Sequence, residues 1–345
     1  MKRGLVFGKF MPLHKGHQLL IETGISNCDE LTVVVCSLPT EPIDGNLRYE
    51  WTKKLYGDKA KVFHLNKANL PQVPEECASE EEFYGIWRDE MLQFVEGGKV
   101  DILFTSEDYG DITAKYFECE HMEVNKARDI VPVSGTACRT NPYANWQYMH
   151  PMVRTYFTKS VLVIGGESTG KSTLTKNLEE YYLNNGIRAY GIQEYARHWI
   201  DTRLDGDMDK LQFKHITLFG TTQMSRVRYY QQNGVNQLVI SDTDAIVSSV
   251  FQQLYFGKID QALIDEADLE KFDLALLLYP DVPWVNDGQR NLGEWAMRMN
   301  VFEMLRFELS KRNIPYVIVK GEWGARFKTA TRAINDLIGI KVDDI

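Results

Sequence analysis

The sequence predicts two α/β domains in tandem, each built on a largely parallel sheet. Two segments carry that expectation, because each runs an apolar strand into a glycine-bearing loop and then a helical pattern. The first is "RGLVFGKFMPLHKGHQLLIETG", from Arg3; the second is "KSVLVIGGESTGKSTLTKNLEEYYL", from Lys159. Such a unit opens an α/β sheet whose ligand lies beyond the strand's carboxyl end. The length of 345 residues also exceeds that of one ordinary domain.

The elements between follow in order. "ELTVVVCS", "KVFHLN" and "VDILFTSE" fit buried parallel strands, separated by helical stretches such as "NLRYEWTKKLYG" and "EEFYGIWRDEMLQFVEG". The second half offers "IRAYGIQEY", "NQLVISDTD", "FDLALLLYP" and "IPYVIVKG" as strands, with amphipathic helices between them. Residues 142–159 are aromatic and punctuated by proline, which fits a packed connector better than a flexible linker. The boundary is expected near Phe157, giving domains 1–157 and 158–345.

Bulk properties narrow the function classes. Apolar content of 44% with 25% charged residues is ordinary for a soluble globular protein. A formal charge of -9 argues against general nucleic-acid affinity, though not against a local basic pocket. No segment approaches the roughly 18 apolar residues of a membrane helix. Cys28, Cys36, Cys77, Cys119 and Cys138 are scattered without a CxxC pair, so idle thiols in a reducing cytoplasm are expected. The basic start "MKR" lacks a cleavage pattern and makes a poor signal peptide.

The second opening is the more specific. "GGESTGKST" comprises Gly165, Gly166, Glu167, Ser168, Thr169, Gly170, Lys171, Ser172 and Thr173, and contains GxxxxGK[ST] between a strand and a helix. Glycines let backbone amides curl around phosphates, and the helix amino terminus adds a favourable field. Lys171 is expected to reach the outer phosphates of ATP, and Ser172 to meet Mg2+. Asp242, ending "LVISD", is the expected metal-orienting acid, with Asp244 two residues on. Glu194 and Arg197 in "GIQEYARHW" close another strand, where an acid can take the proton of an attacking hydroxyl. "PWVNDGQRNLGEWAMR" offers Arg290 and Arg298 as loop cations over the phosphates, a water-excluding arrangement that favours a kinase over an ATPase.

In the first opening, His14 and His17 could serve a metal, a proton relay or a phosphate. No third ligand and no adjoining nucleophile accompany them. Their place at a helix start instead aims two imidazole donors at an anion, with Lys9 adding charge and Gly16 allowing close approach. "GKFMPLHKGH" (Gly8, Lys9, Phe10, Pro12, His14, Gly16, His17) resembles the signature of the HxGH nucleotidylyltransferases. "VSGTACR" is similar to their later ISxxxxR element, with Ser134 and Arg139 in place and Val133 replacing isoleucine.

An HxGH domain followed by a P-loop kinase domain resembles the NadR-type bifunctional enzymes along nearly the entire chain, including "RYEW", "TSE", "EYAR", "DTD" and "PWVNDGQR". The resemblance implies two tandem Rossmann-like α/β domains, the second a P-loop NTPase-type kinase. It implies that nicotinamide riboside is phosphorylated by ATP to nicotinamide mononucleotide, which is then adenylylated to NAD with release of diphosphate. Lys9, His14, His17 and Arg139 would neutralise the triphosphate in the first domain, and Gly8, Phe10, Gly16 and Ser134 would contact it. In the second, Lys171, Ser172, Asp242 and Arg290 would hold ATP and Mg2+. Glu194 would be the base, with Asp244 as runner-up, and Tyr195 and Arg197 would face the riboside. Trp87 and Arg88 would lie near the pyridinium pocket.

There are departures. "AIVSS" follows "DTD" where threonines are expected, and Ala196 replaces a commoner glycine. Some relatives carry an amino-terminal helix-turn-helix, whereas here the HxGH strand starts at residue 4 and no such domain is expected. Two other readings remain: an adenylyltransferase for another phosphate acceptor fused to an unrelated kinase, or a nucleotide-sensing module. No nucleic-acid or membrane partner is expected, and a homo-oligomer stays open.

Overall fold

A computed structural model describes residues 1–269, 272–285 and 293–340. The chain divides into two compact units, Met1–Arg154 and a second beginning at Thr155. The division falls just before the boundary expected at Phe157.

The first unit runs β1 (Arg3–Gly8), α1 (Lys15–Asn27), β2 (Glu30–Ser37), α2 (Gly45–Tyr56), β3 (Lys61–Asn66), α3 (Glu80–Leu92), β4 (Ile102–Thr105), α4 (Gly110–Tyr116), β5 (Glu120–Glu123), α5 (Gly135–Thr140) and α6 (Pro151–Arg154). Its sheet has the order β3-β2-β1-β4-β5, with every pairing parallel. β2 buries all but its first residue, as a strand covered on both faces must. β5, "EHME", has no apolar run and was not foreseen; it lies at the sheet edge with both end residues exposed. Helix starts follow capping chemistry: the Asp44 carboxylate accepts from Asn46 N and Leu47 N at α2, and Ser79 Oγ from Glu82 N at α3.

The second unit runs β6 (Lys159–Ile164), α7 (Lys171–Asn184), β7 (Ala189–Ile192), α8 (Tyr195–Arg203), α9 (Phe213–Gln232), β8 (Leu238–Asp242), α10 (Ala245–Phe256), α11 (Gln261–Leu269), β9 (Leu274–Leu278), α12 (Trp295–Lys311), β10 (Tyr316–Val319) and α13 (Trp323–Ile338). The sheet order is β10-β9-β6-β8-β7, again parallel throughout. Its core gathers Leu162, Ile164, Val239, Leu277 and Leu305 around β6.

The first strand of each unit is central, with β1 between β2 and β4 and β6 between β8 and β9. Strand order reverses there, so a crevice opens beyond the carboxyl ends of β1 and β6. Both glycine-bearing loops therefore sit where a parallel sheet binds ligand. Among the described residues, no helix is long and apolar enough to cross a membrane.

Candidate active sites

β1 ends at Gly8, and α1 begins at Lys15 with His14 as its N-cap. The His17 amide donates to His14 Nδ1 and the His14 amide to His17 Nδ1, each at 3.4 Å. With Nδ1 accepting, the proton of a neutral imidazole sits on Nε2, which makes Nε2–H the donor of each ring. The rings stack with centroids 3.7 Å apart. Burial, then Arg128, lowers the His14 pKa to about 4; burial, then His14, holds His17 well below its usual range. The pair is neutral at pH 7. It offers hydrogen bonds at a helix amino terminus, as the residues themselves suggest, rather than the neutralising charge that the family resemblance implied.

Gly16 has a packing reason of its own, besides the close approach expected from sequence. A Cβ there would lie 3.1 Å from His14 Cε1 and Nδ1, so its bare backbone makes room for the ring. Phe10 is buried and meets His17 edge to face at 5.1 Å, which makes it a packing partner of the imidazole. Arg139 reaches this loop, donating to Met11 O and, at 3.1 Å, to Thr136 Oγ1. Ser134 caps α5, its Oγ accepting from Ala137 N at 3.1 Å.

Lys9 is not a lone charge. Its ammonium lies 2.9 Å from Glu41, which also pairs with Arg48. Arg48 is wholly buried and donates to Lys9 O at 2.5 Å and Cys36 O at 3.3 Å. Burial works against the Glu41 carboxylate, yet bonds from Lys9, the Leu38 amide and Arg48 hold its pKa below the usual range. Beside Gly8 and Lys9 opens a cavity of about 290 Å³ walled by Phe7, Tyr84, Trp87 and Tyr109. Trp87 stacks on Phe7 at 6.1 Å and donates Nε1–H to Pro71 O at 2.9 Å. Arg88, its neighbour, is outside the lining and pairs with Asp89 on the surface. Cys36 also lines the cavity, but burial pushes its thiol up to about 12, and all five cysteines are free.

In the second unit the loop from Gly165 to Gly170 joins β6 to α7. Gly170 has φ +88°, a left-handed conformation that glycine adopts without strain. Lys171 Nζ donates to Gly166 O at 3.1 Å, folding the side chain over the loop. Ser172 Oγ donates to Asp242 Oδ2 at 2.5 Å. Asp242 is fully buried; burial, then the nearby Glu194, raises its pKa to about 6, against the pull of Lys171 and Ser172. Its other oxygen, Oδ1, is buried without a hydrogen-bond partner. A buried orphan carboxylate oxygen beside a serine hydroxyl fits a small hard cation that takes its remaining ligands from phosphate and water. Among the described residues, no cluster of three or more His, Cys, Asp or Glu could hold a metal unaided.

A cavity of about 200 Å³ opens on this loop, lined by Glu167 to Thr173 and by Glu194, Tyr195 and Arg197. Phe219, Phe251 and Tyr255 wall it, and Tyr255 OH donates to Glu167 Oε1 at 3.0 Å. Gln223, unforeseen from sequence, sets the Glu194 turn. Its Oε1 accepts from Tyr195 N at 3.2 Å, while its Nε2 donates to Asp242 O at 3.0 Å and Ser241 Oγ at 3.1 Å.

Two expectations give way. Asp244 is the N-cap of α10, its Oδ1 accepting from Val247 N at 3.0 Å; it lies outside the cavity lining, and burial raises its pKa to about 7. Arg298 is no mobile loop cation, being buried in α12 with both terminal nitrogens 3.0 Å from Val282 O. Arg290 lies outside the described residues. Arg326, also unforeseen, is buried and donates to Thr169 O in the phosphate loop at 3.1 Å.

Comparison with known proteins agrees with this architecture. A family model described as an AAA domain matches residues 160–326. The trifunctional NAD biosynthesis/regulator protein NadR of Escherichia coli K12 is 28% identical, over 97% of this chain and 83% of the relative. The protein of the same description from Salmonella typhimurium LT2 has the same identity and coverage. This chain is homologous to NadR. A solved structure of NadR in complex with NAD and AMP-PNP matches 99% of the chain and 97% of its own, with TM-score 0.71 at 24% identity. A second, in complex with NR, gives TM-score 0.71 at 23% identity over the same shares. The two-unit parallel α/β fold of this NadR homologue is thus the NadR fold.

Proposed function

We propose that the chain makes NAD from nicotinamide riboside in two ATP-dependent steps, phosphorylation in the second unit and adenylyl transfer in the first. The observation that carries the reading is the pairing, in each unit, of a phosphate-binding helix start with an aromatic-walled cavity. A flat, cationic pyridinium suits aromatic walls. Homology to NadR along nearly the whole chain supports the same reading.

In the second unit the riboside 5′-hydroxyl attacks the ATP γ-phosphorus, Glu194 takes its proton, the β–γ bridging bond breaks and ADP leaves. Lys171 and the loop amides hold the phosphates, and Tyr195 and Arg197 face the riboside. Ser172 and Asp242 would hold Mg2+, which would supply positive charge to the transferring phosphates. Asp244, committed to its helix, leaves the base role to Glu194. In the first unit the mononucleotide phosphate attacks the ATP α-phosphorus and diphosphate leaves. The attacking group is already an anion, so no base is needed. His14 and His17 donate through Nε2–H, while Lys9 and Arg139 supply charge and Trp87 lines the pyridinium pocket. The free thiols suit work in the cytoplasm.

The test supplies nicotinamide riboside as sole acceptor and measures ADP and diphosphate together, alongside flavin mononucleotide and phosphopantetheine as competing phosphate acceptors. Both products with riboside support the reading. Diphosphate only with another acceptor, or no turnover, overturns it.

A further inference from the structure

The phosphate loop of the second unit is furnished with a second aromatic feature outside the acceptor cavity. Trp323 opens α13 and packs on Gly170, where a Cβ would lie only 2.5 Å from two atoms of the six-membered ring. It is absent from the cavity lining, yet 54% exposed. Arg326, one turn along the helix, sets its guanidinium carbon 5.8 Å from the indole. That arginine is 1% exposed and donates to Thr169 O at 3.1 Å, Gly321 O at 2.8 Å and Tyr279 O at 2.7 Å, and also pairs with Asp281. The indole is therefore fixed to the loop that holds the phosphates and backed by a buried cation bonded to that loop. The rest of its surface stays open to water, where so large an apolar group gains nothing from the fold.

We propose that Trp323 is the stacking platform for the purine base of the nucleotide whose phosphates sit on residues 165–173. This rests on nucleotide binding at that loop, not on riboside being the acceptor. A phosphate chain held there keeps its nucleoside within a short reach of Gly170. The cavity containing Glu194 is taken by the acceptor, and the indole offers the base an exposed aromatic surface in contact with the loop itself. Gly170 has no side chain, so the ring lies directly on the loop. Stacking reads the π-face and not the base edge, so purine nucleotides should be preferred to pyrimidine ones by area, with little choice between adenine and guanine.

The experiment uses the full chain with Trp323→Ala and Trp323→Phe. Trp323→Ala should raise the kinase KM for ATP about tenfold or more, leaving the riboside KM and the adenylyltransferase rate unchanged. Trp323→Phe should stay close to wild type. Inhibition of the kinase by inorganic tripolyphosphate, which has no base, should be equal in all three proteins. An ATP KM unchanged in Trp323→Ala, or a tripolyphosphate affinity that falls as much as that of ATP, overturns the proposal. If the wild type does not phosphorylate riboside, it is the proposed function that fails, and fluorescence still decides this point. Adding ADP should quench an indole signal present in the wild type and absent from Trp323→Phe; no such difference overturns the platform.

Discussion

At Lys15 and at Lys171 a helix begins just beyond a glycine-bearing loop at the end of a central strand, and the two starts are furnished differently. The P-loop offers a lysine folded over its backbone and a buried carboxylate, Asp242, with one oxygen unpartnered. The HxGH loop offers two stacked imidazoles that cap the helix and each other. Burial keeps the two imidazoles neutral, while Lys9 on the same loop pairs with Glu41 and Arg139 donates to Met11 O. The second site carries its cation inside the loop. The difference suits the chemistry: a γ-phosphoryl group passing to a neutral hydroxyl needs a base and charge at its oxygens. An attack by a phosphate anion needs orientation and hydrogen bonds more than a base.

The largest effects should separate the units cleanly. Lys171→Ala should cut riboside phosphorylation at least about 10³-fold and leave adenylylation within about twofold, as measured by ADP and diphosphate release. His17→Ala should do the reverse, with adenylylation down at least about 10²-fold. Loss of both activities in either variant would break the comparison. Glu194→Gln should lower the kinase kcat by about 10²-fold or more while ATP still binds; near-full turnover would move the base role elsewhere.

Stability should respond to pH with opposite sign in the two units. His14, at about 4 when folded, leaves the native state short of a proton that the unfolded chain takes up below its ordinary 6.5. Its contribution therefore falls as pH drops from 6.5 towards 4. Asp242 and Asp244, at about 6 and about 7, keep protons that an unfolded aspartate releases above 3.8, so their contribution falls as pH rises from about 4 to 7. Hydrogen exchange resolved along the chain at pH 5 and 7 checks this: acidification should cost the first unit protection relative to the second. Asp244→Asn, which keeps a good cap, should flatten the second unit's slope and leave kinase kcat within about twofold. The smallest change is at Gly16, where alanine meets the His14 ring at 3.1 Å. It should slow adenylylation a few-fold by tilting that ring, and leave the kinase untouched.

Both openings were legible because an apolar strand, a glycine loop and a helix follow one another without interruption, and strands buried on two faces read as continuous apolar runs. β5 escaped because an edge strand of four residues needs no such run. The polar framework was harder. Arg48, Arg326 and Gln223 bond mainly to backbone carbonyls and amides of distant segments, and a sequence does not record which carbonyls come near. Glu41 stood in a turn with nothing to mark its pairing with Lys9. Asp242 and Asp244 look equivalent in "SDTD", yet the first ends β8 facing Ser172 and the second turns to cap α10. Arg298 read as a loop cation because the start of α12 has no conspicuous cap, and its side chain was in fact committed to Val282.

The central claim is that one chain holds two phosphate sites that act separately and in sequence. It is tested most directly by mixing Lys171→Ala and His17→Ala chains with riboside, ATP and Mg2+ and measuring NAD. Each variant alone should make NAD far more slowly than wild type, and the mixture should restore synthesis, because the mononucleotide made by one is consumed by the other. A mixture as inactive as its parts, with both proteins folded, would contradict the account.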